Sequence, residues 1–354
     1  MVSKEFWNNR KVLVTGHTGF KGSWLMEILL YLGAKPFGIA LNPIVSPALF
    51  NDLRLKERVN HYYADVRNIE SIKKIIEVIN PEILIHMAAQ PLVIESYKNP
   101  IDTFSTNILG TANVLEACRK ANNLRAIVSV TTDKVYANTK NKESFTEEDN
   151  LGGNDPYSCS KACVELVTQS YFKSFFKDKL NVATARSGNV IGGGDWSKDR
   201  LIPDLMRASI SKRPLIIRSP EATRPWQHVL EPLFGYLMLA EKLFSGNLLD
   251  ECEAWNFGPS INQIGNVSQI VTIFSKFLDN PPLIEIEESK FFPETKNLQL
   301  NSEKSNLFLK WFPKFNLYET LEYTFDWYNC YLEKGDLKLK TEKQIENYII
   351  SGEN

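Results

Sequence analysis

The sequence predicts an α/β fold: a doubly wound parallel sheet with a smaller mixed α/β region attached. Two observations predict it. Short apolar runs alternate with helical patterns through the first half of the chain, and a glycine-rich loop joins the first run to the first helical pattern. Alternation of this kind pairs strands in parallel and places helices on both faces of the sheet. The 354 residues, 43% hydrophobic and 23% charged, suffice for about two ordinary globular domains.

The elements follow in order. Lys11-Val12-Leu13-Val14-Thr15 reads as a buried strand, and residues 24–32 as a helix closed by Gly33. Residues 36–40 and 61–66 read as the second and third strands. Ile69, Ile72, Ile75, Ile76 and Ile79 recur at helical spacing, and Asn80-Pro81 stops that helix. Strands are expected at 83–87, 126–130 and 182–186, with helices at 101–120 and 157–176 between them. After residue 187 the rhythm breaks at Gly192-Gly193-Gly194-Asp195, and Ala254-Trp255-Asn256-Phe257 looks like a strand returning to the sheet. The expected division is a dinucleotide-binding unit at 1–187 with a returning segment near 227–257. A substrate-binding unit would take 188–226 and 258–335, and 336–354 would be a Lys/Glu-rich tail, a solvated helix or frayed end.

Charge and composition exclude several classes. Lys+Arg 41 against Asp+Glu 42 gives a net charge of −1, so no basic footprint for nucleic acid exists. No apolar stretch approaches the ~18 residues that span a bilayer. Met1-Val2-Ser3-Lys4-Glu5 contains no apolar signal core, so a cytoplasmic location is expected. Cys118, Cys159, Cys163, Cys252 and Cys330 are scattered, as reduced thiols are. His17, His61, His86 and His228 are dispersed too, so no metal site is expected.

The loop Thr15-Gly16-His17-Thr18-Gly19-Phe20-Lys21-Gly22 has the spacing G-x-x-G-x-x-G between a strand and a helix. Glycines let the backbone approach a pyrophosphate, and the helix start presents its amides and dipole to it. This is a Rossmann-type fingerprint. The acid expected on the second strand for the adenosine ribose is missing, and Asn42 can bond a ribose hydroxyl instead. No Arg or Lys lies between Pro36 and Leu53 to meet a 2′-phosphate, which favours NAD over NADP. Asp65, ending the third strand, can hold the adenine amino group or stand as a surface carboxylate.

Tyr157 and Lys161 form a Y-x-x-x-K pair on one helix face. A lysine ammonium beside a phenol favours the phenolate, which can take a proton from a sugar hydroxyl. Thr132-Asp133-Lys134 ends the fifth strand, where ligand chemistry belongs in this architecture. There a threonine can polarise the reacting hydroxyl and an acid can protonate a leaving one; a Thr-Asp turn bonding its own backbone is the plain alternative.

Together these residues resemble the extended short-chain dehydrogenase/reductases, and within them the nucleotide-sugar 4,6-dehydratases, above all the branch acting on CDP-glucose. The resemblance is carried by residues 14–22, His86-Met87-Ala88-Ala89-Gln90-Pro91-Leu92, Thr132-Asp133-Lys134, Asp155 through Lys161, residues 188–196, and Arg224-Pro225-Trp226-Gln227-His228-Val229. It implies NAD as coenzyme and a CDP-hexose as substrate. Carbon four is oxidised, water is lost across carbons five and six, and hydride returns to carbon six, for deoxysugar synthesis destined for surface polysaccharide. It further implies that Tyr157 starts the oxidation, Lys161 tunes it and binds the nicotinamide ribose, Thr132 bonds the oxygen on carbon four, and Asp133 is the elimination acid. Lys134 is the carbon-five base when neutral, or a fixed charge that stabilises the enolate; both remain open. Coenzyme contacts are implied for Gly16, His17, Thr18, Gly19, Phe20, Lys21, Gly22, Asn42, Asp65, Val66, Ala88, Ala89, Gln90 and Asn107, as well as Tyr157 and Lys161. Asn107 either orders the active-site backbone or bends its helix as a polar core residue. Asn189 would hold the nucleotide diphosphate and Arg224 would add a bidentate phosphate contact. Arg200 is a further phosphate candidate or an ion-pair residue, and Trp196 a pocket wall or a packing residue. The resemblance also implies a homodimer or homotetramer. Rivals are a dTDP-glucose or GDP-mannose 4,6-dehydratase, a 4-epimerase, and a non-catalytic NAD-sensing regulator; the last is disfavoured because both Tyr157 and Lys161 are present.

Overall fold

The computed structural model describes residues 2–137, 144–247, 249–260, 265–287 and 299–351. The central sheet has seven strands: β1 (Lys11–Thr15), β2 (Lys35–Ala40), β3 (Asn60–Tyr63), β4 (Ile83–His86), β5 (Ala126–Val130), β6 (Asn181–Ser187) and β7 (Glu253–Phe257). Their order is β7-β6-β5-β4-β1-β2-β3, with every neighbouring pair parallel. Strand order reverses between β1 and β4, so a crevice opens at their carboxyl ends. Val12-Leu13-Val14, Ile83-Leu84-Ile85 and Ala126-Ile127-Val128 are fully buried, as strands covered on both faces must be. The returning strand expected at 254–257 is β7, paired with β6.

Helices fill the crossovers. Helix α1 (Phe20–Tyr31) begins earlier than the apolar pattern suggested, directly at the glycine loop. Helix α2 (Ile69–Ile79) is capped by Asn68, whose side chain accepts from the Ser71 amide, and ends at Asn80 in the left-handed region. Helix α3 (100–118) runs through Pro100–Phe104, a widened π-type turn at Ser105–Leu109, and Gly110–Cys118. A Cβ on Gly110 would meet Val66 Cγ2 at 2.6 Å, so glycine is what lets α3 lie against the loop that follows β3. Helix α4 (Pro156–Tyr171) starts with proline and is capped by Asp155, which accepts from the Ser158 amide. A short helix at Val93–Lys98 has no periodic signal in the sequence and was not expected.

The second half is more irregular. Helices α5 (Leu201–Ser211), α6 (Leu230–Ser245) and α7 (Leu317–Leu332) are joined by two-stranded pieces. Val190–Ile191 pairs with Gln227–His228, Thr223–Arg224 with Gly265–Asn266, and Leu215–Ile217 with Ile284–Ile286. The first two ribbons bring Asn189 and Arg224 toward the carboxyl end of β6. Residues 261–264 and 288–298 of the expected 258–335 segment lie outside the described residues.

The C-terminal stretch corrects an expectation. It forms α8 (Leu337–Ile350), and this helix is docked rather than solvated or frayed: Thr341, Gln344, Ile345 and Tyr348 are buried along one stripe. Half of that stripe is polar, which hid it in the composition. The Tyr348 hydroxyl donates to Glu231 Oε2 on α6 at 2.6 Å. No helix among the described residues is long and apolar enough to cross a membrane, and no cluster of three or more of their His, Cys, Asp and Glu residues is placed to hold a metal ion.

Candidate active site

The glycine loop is built from backbone. Gly16 has φ +79, and a Cβ there would stand 2.9 Å from the Ala88 backbone. A Cβ on Gly22 would stand 2.2 Å from the Gly16 carbonyl oxygen. The loop therefore folds onto itself at distances only glycine permits. Gly19 gives α1 no side-chain cap, so the positive helix end faces the crevice with its first amides available to an anion. The Thr18 hydroxyl donates to the Leu41 carbonyl at 2.9 Å, fixing the loop to the end of β2, and Asn42 follows there, exposed. This cradle fits a dinucleotide pyrophosphate.

Two loop side chains turn away from it, against expectation. The His17 ring is buried beneath β2: a Cβ on Gly38 would meet it at 2.3 Å, and it packs edge-on to Phe50. Burial pulls its pKa down to about 4, so it is neutral and offers the loop only its backbone. Lys21 reaches across the crevice, where Nζ donates to the Tyr236 hydroxyl at 2.9 Å and to Ser187 Oγ at 3.2 Å. Burial, with Lys161 nearby, pulls the Lys21 ammonium down to about 7. Sequence spacing locates both residues in the loop but cannot tell where their side chains point. Asp65 is held by Arg67, whose Nε and NH2 donate to its carboxylate and keep it below the usual range. Val66 is buried against Gly110.

The floor beside the loop is one directed chain of hydrogen bonds. The Thr111 hydroxyl donates to the Asn107 carbonyl at 2.6 Å, so it can only accept from His86 Nε2 at 3.0 Å. His86 Nδ1 then accepts from the Thr15 hydroxyl at 2.7 Å, whose oxygen receives the Met87 and Ala88 amides. Burial keeps this imidazole neutral, near 3. Asn107 stands in the widened turn of α3 and accepts from the Gln90 amide at 2.8 Å. Its own amide donates to the Gln90 carbonyl and to Ser160 Oγ. It thus orders the Gln90 backbone from within the widened turn, which is the first of the two descriptions the sequence left open. Ala89 is half-buried beside Gln90.

The acid-base groups stand at the ends of β5 and α4. Thr132 and Asp133 are buried, and the Thr132 hydroxyl donates to Asp133 Oδ1 at 2.9 Å. Asp133 Oδ2 is buried without a partner among the described residues. A Cβ on Gly188 would stand 3.0 Å from this oxygen, so glycine keeps it open. Burial pushes the Asp133 carboxyl up; Lys134 and the Thr132 hydroxyl pull it back. Lys134 is half-buried, its amide 3.4 Å from Thr132 Oγ1.

Tyr157 and Lys161 lie one turn apart on α4, both buried. Lys161 Nζ donates to the Val130 carbonyl at 3.0 Å, tying α4 to the end of β5. Burial lowers Lys161 to about 8, while Glu165 opposes that fall. Burial raises Tyr157 to about 12, with the Thr132 hydroxyl favouring the phenolate and the Asp133 charge disfavouring it. The expected lowering of the phenol by its lysine is not found: desolvation dominates and raises it.

Beneath this pair lies a network the sequence reading missed. Glu165 accepts from Thr131 and Thr184 hydroxyls and from Arg186 Nε at 2.9 Å. Arg186 also donates to the Tyr136 hydroxyl at 2.8 Å. Its signals were a glutamate four residues beyond Lys161 and a lone arginine inside the apolar run of β6.

On the opposite wall, Arg224 is buried, donates to the Thr223 carbonyl at 2.9 Å and bears electrostatically on Asp133. Half-buried Asn189 follows Gly188, and its carbonyl accepts from the Gln227 amide. Arg200 pairs with Asp195 at 3.0 Å, which favours the ion-pair description. Trp196 packs on the Tyr328 and Tyr331 rings at 5.2 and 5.0 Å. The fold thus gathers Thr132, Asp133, Tyr157, Lys161 and Arg224 around one crevice and leaves Asn42 and Asp65 in the segments that follow β2 and the edge strand β3.

Comparison with known proteins agrees with this geometry. A family model described as GDP-mannose 4,6 dehydratase matches residues 13–324. The chain is 40% identical to a CDP-glucose 4,6-dehydratase of Salmonella typhimurium, with 99% of each chain covered. It is 30% identical to a dTDP-D-glucose 4,6-dehydratase of Dictyostelium discoideum over 68% of this chain and 57% of that one. Among solved structures, an epimerase of Methanothermobacter thermautotrophicus matches with TM-score 0.82 at 22% identity, covering 94% of this chain and 95% of that one. A dTDP-glucose 4,6-dehydratase of Bacillus anthracis in complex with NAD matches with TM-score 0.76 at 24% identity, covering 93% and 99%. A fold of this kind, an acid beside the phenol, and likeness along the whole length lead to one assignment: the chain belongs to the GDP-mannose 4,6 dehydratase family.

Proposed function

We propose that this chain converts CDP-glucose to CDP-4-dehydro-6-deoxyglucose, using NAD. The observation that carries the reading is a buried carboxyl, Asp133, with one oxygen open beside a buried phenol, Tyr157. Oxidation alone needs the phenol; expelling a hydroxyl also needs the acid. The full-length likeness to a CDP-glucose 4,6-dehydratase supports the choice of substrate.

In this reading, the backbone from Gly16 to Gly22 holds the dinucleotide phosphates. Asn42 and Asp65 serve its adenosine end, and Lys161 serves the nicotinamide ribose, with Ala88, Ala89 and Gln90 alongside. When bound, NAD supplies the hydride acceptor for carbon four and the hydride donor for carbon six. Tyr157 takes the proton of the carbon-four hydroxyl, the Lys161 ammonium steadies the phenolate, and Thr132 bonds the same substrate oxygen. The resulting ketone acidifies carbon five. Lys134 either removes that proton or, charged, stabilises the enolate. Asp133, whose carboxyl burial pushes up, gives its proton to the departing carbon-six hydroxyl. Asn189 and Arg224 bind the diphosphate, Arg200 supports them through Asp195, and Trp196 closes the nucleotide side. The same reading extends to the cytoplasm, where five free cysteines persist as thiols. It also extends to a homodimer or homotetramer through α3 and α4, whose Ile101, Leu109 and Leu166 are exposed.

The test is a panel of CDP-, dTDP-, UDP- and GDP-sugars with the purified protein, read by the alkali-induced absorbance of the keto product. CDP-glucose is expected to give a 4-keto-6-deoxy product. In Asp133→Asn, NADH is expected to accumulate without that product. A 4-hydroxy epimer, or preference for another nucleotide, overturns the assignment.

A further inference from the structure

The acid-base ridge is assembled from two elements. The end of β5 delivers Thr132 and Asp133, and α4 delivers Tyr157 and Lys161. The chemistry proposed above needs these side chains within about 0.5 Å of their working places. The helix must therefore be held in register on the strand.

Two side chains of α4 grip the end of β5, at consecutive residues. Lys161 Nζ donates to the Val130 carbonyl at 3.0 Å. One turn on, Glu165 Oε1 accepts from the Thr131 hydroxyl at 2.5 Å, and Thr131 immediately precedes Thr132. The Glu165 carboxylate is itself fixed. Arg186 Nε donates to Oε1 at 2.9 Å and Nη2 to Oε2 at 3.0 Å, a bidentate pair. The Thr184 hydroxyl donates to Oε2 as well. The guanidinium is held in turn from its other side. Its Nη1 donates to the Tyr136 hydroxyl at 2.8 Å, which donates to Asn256 Oδ1 on β7 at 2.7 Å. Thr131, Tyr136, Glu165, Thr184, Arg186 and Asn256 are all buried, so the carboxylate cannot swing out to solvent.

Spacing along α4 gives this second grip its weight. Tyr157, Lys161 and Glu165 follow one another at i, i+4 and i+8 along one helix face. Each interval spans about 6 Å of helix axis. A helix held at Lys161 alone can pivot there, and Tyr157 then swings as far as Glu165 does. Asn107 also holds α4, donating to Ser160 Oγ at 2.8 Å, but from helix α3 and not from the strand that leads to the acid.

We propose that Glu165 is a positioning residue for the reaction: locked by Arg186, it grips Thr131 and so sets the distance from Tyr157 to Thr132 and Asp133. The proposal rests on the dehydratase reading. No proton or electron passes through Glu165. Its carboxylate is filled by protein donors on both oxygens, and it acts only by stopping the pivot.

The test compares two threonines that serve the same carboxylate. Thr131→Val and Thr184→Val each keep shape and remove one hydroxyl from Glu165, but only Thr131 leads directly into Thr132 and Asp133. Each loses one hydrogen bond to a charged group, so stability alone does not tell them apart. Steady-state kinetics of the NAD-loaded full chain with CDP-glucose should. In Thr131→Val, kcat should fall by about tenfold to 10²-fold, the scale of a displacement of up to 1 Å. Its KM for CDP-glucose and its NAD affinity should stay within about twofold, because Lys161 sits at the pivot. Thr184→Val should keep kcat within about twofold, and Thr131→Ser should restore it. Equal losses of kcat in the two valine variants would make the network structural only and overturn the proposal. Unchanged kcat in Thr131→Val, or an equal loss in Thr131→Ser, would overturn it too. If Thr131→Val does not fold, Thr131→Ala, which leaves room for water beside the carboxylate, is compared with Thr184→Ala in the same way. A wild type that acts on another sugar nucleotide removes the CDP-glucose reading alone, because the same comparison on that sugar still decides the grip of Glu165. A wild type inactive on every sugar nucleotide removes both.

Discussion

The glycine loop after β1 and the acid-base ridge after β5 stand at the same edge of one sheet, yet they are made differently. The loop is backbone packed on backbone, with Gly22 against the Gly16 carbonyl and Gly16 against Ala88. Its side chains largely leave: His17 goes under β2 and Lys21 crosses to Tyr236. The ridge is the opposite. Its backbone is ordinary strand and helix, and its chemistry lies in Thr132, Asp133, Tyr157 and Lys161, buried and held by hydrogen bonds. A backbone site is sensitive to added volume and indifferent to most side-chain chemistry. A side-chain site tolerates isosteric change in its fold and loses its function. The contrast matches the tasks, because a phosphate needs many amides in one place, whereas proton transfer needs single groups with displaced pKa values.

The largest expected effect tests the ridge. Tyr157→Phe removes one oxygen and little volume, so folding and NAD binding should persist while turnover falls on the order of 10³-fold. Coenzyme titration beside a product assay checks both halves, and loss of NAD affinity in this variant would break the contrast. The loop should answer in reverse. Gly22→Ala adds a methyl where 2.2 Å is available, which costs about 1–3 kcal/mol as overpacking. It should lower the melting temperature and abolish measurable NAD binding. Unchanged affinity in Gly22→Ala would show that the loop has slack the geometry denies.

The same division explains what the sequence could reveal. Strands β1, β4 and β5 were legible because buried parallel strands are continuous apolar runs, and α2 because its isoleucines keep helical period. The return of β7 was legible from Ala254-Trp255-Asn256-Phe257, an aromatic run in a polar neighbourhood. Catalytic residues were legible because Tyr157 and Lys161 are joined by helix geometry and Thr132-Asp133 by adjacency. Side-chain direction inside the loop was not, since G-x-x-G-x-x-G constrains only the glycines. Nor was the Glu165–Arg186 pair, whose partners are 21 positions apart and meet only when α4 packs on β6. Helix α8 was misjudged because its buried stripe includes Thr341 and Gln344, which composition counts as solvent-facing.

A smaller effect separates charge from shape on the ridge. Burial lowers Lys161 to about 8, so its ammonium is present below that pH and lost above it. NAD should therefore bind more weakly as pH rises through about 8, because the neutral amine is a poorer donor than a charged one. Lys161→Met should weaken binding by about tenfold at neutral pH, the scale of one charged hydrogen bond. It should also flatten the pH dependence. An identical slope in wild type and variant would assign the titration elsewhere, with Lys21, lowered to about 7, the next group to change.

The smallest expected effect is the sharpest test of the loop. The Thr18 side chain ties the turn to the end of β2, donating to the Leu41 carbonyl at 2.9 Å on the exposed side. If the cradle is set by backbone packing, that bond is a surface contact. Thr18→Ala should then change NAD affinity by about twofold, within the ±0.5 kcal/mol of ordinary surface substitutions. The Leu41 carbonyl loses little, because water can replace the hydroxyl there. Gly16, Gly19 and Gly22 remain in place, and their close approach does not pass through Thr18. Isothermal titration of NAD into wild type and Thr18→Ala at one pH measures the difference directly. An effect as large as that of Gly22→Ala would mean the loop is held by its side chains after all, and the distinction between the two walls of the crevice would fall.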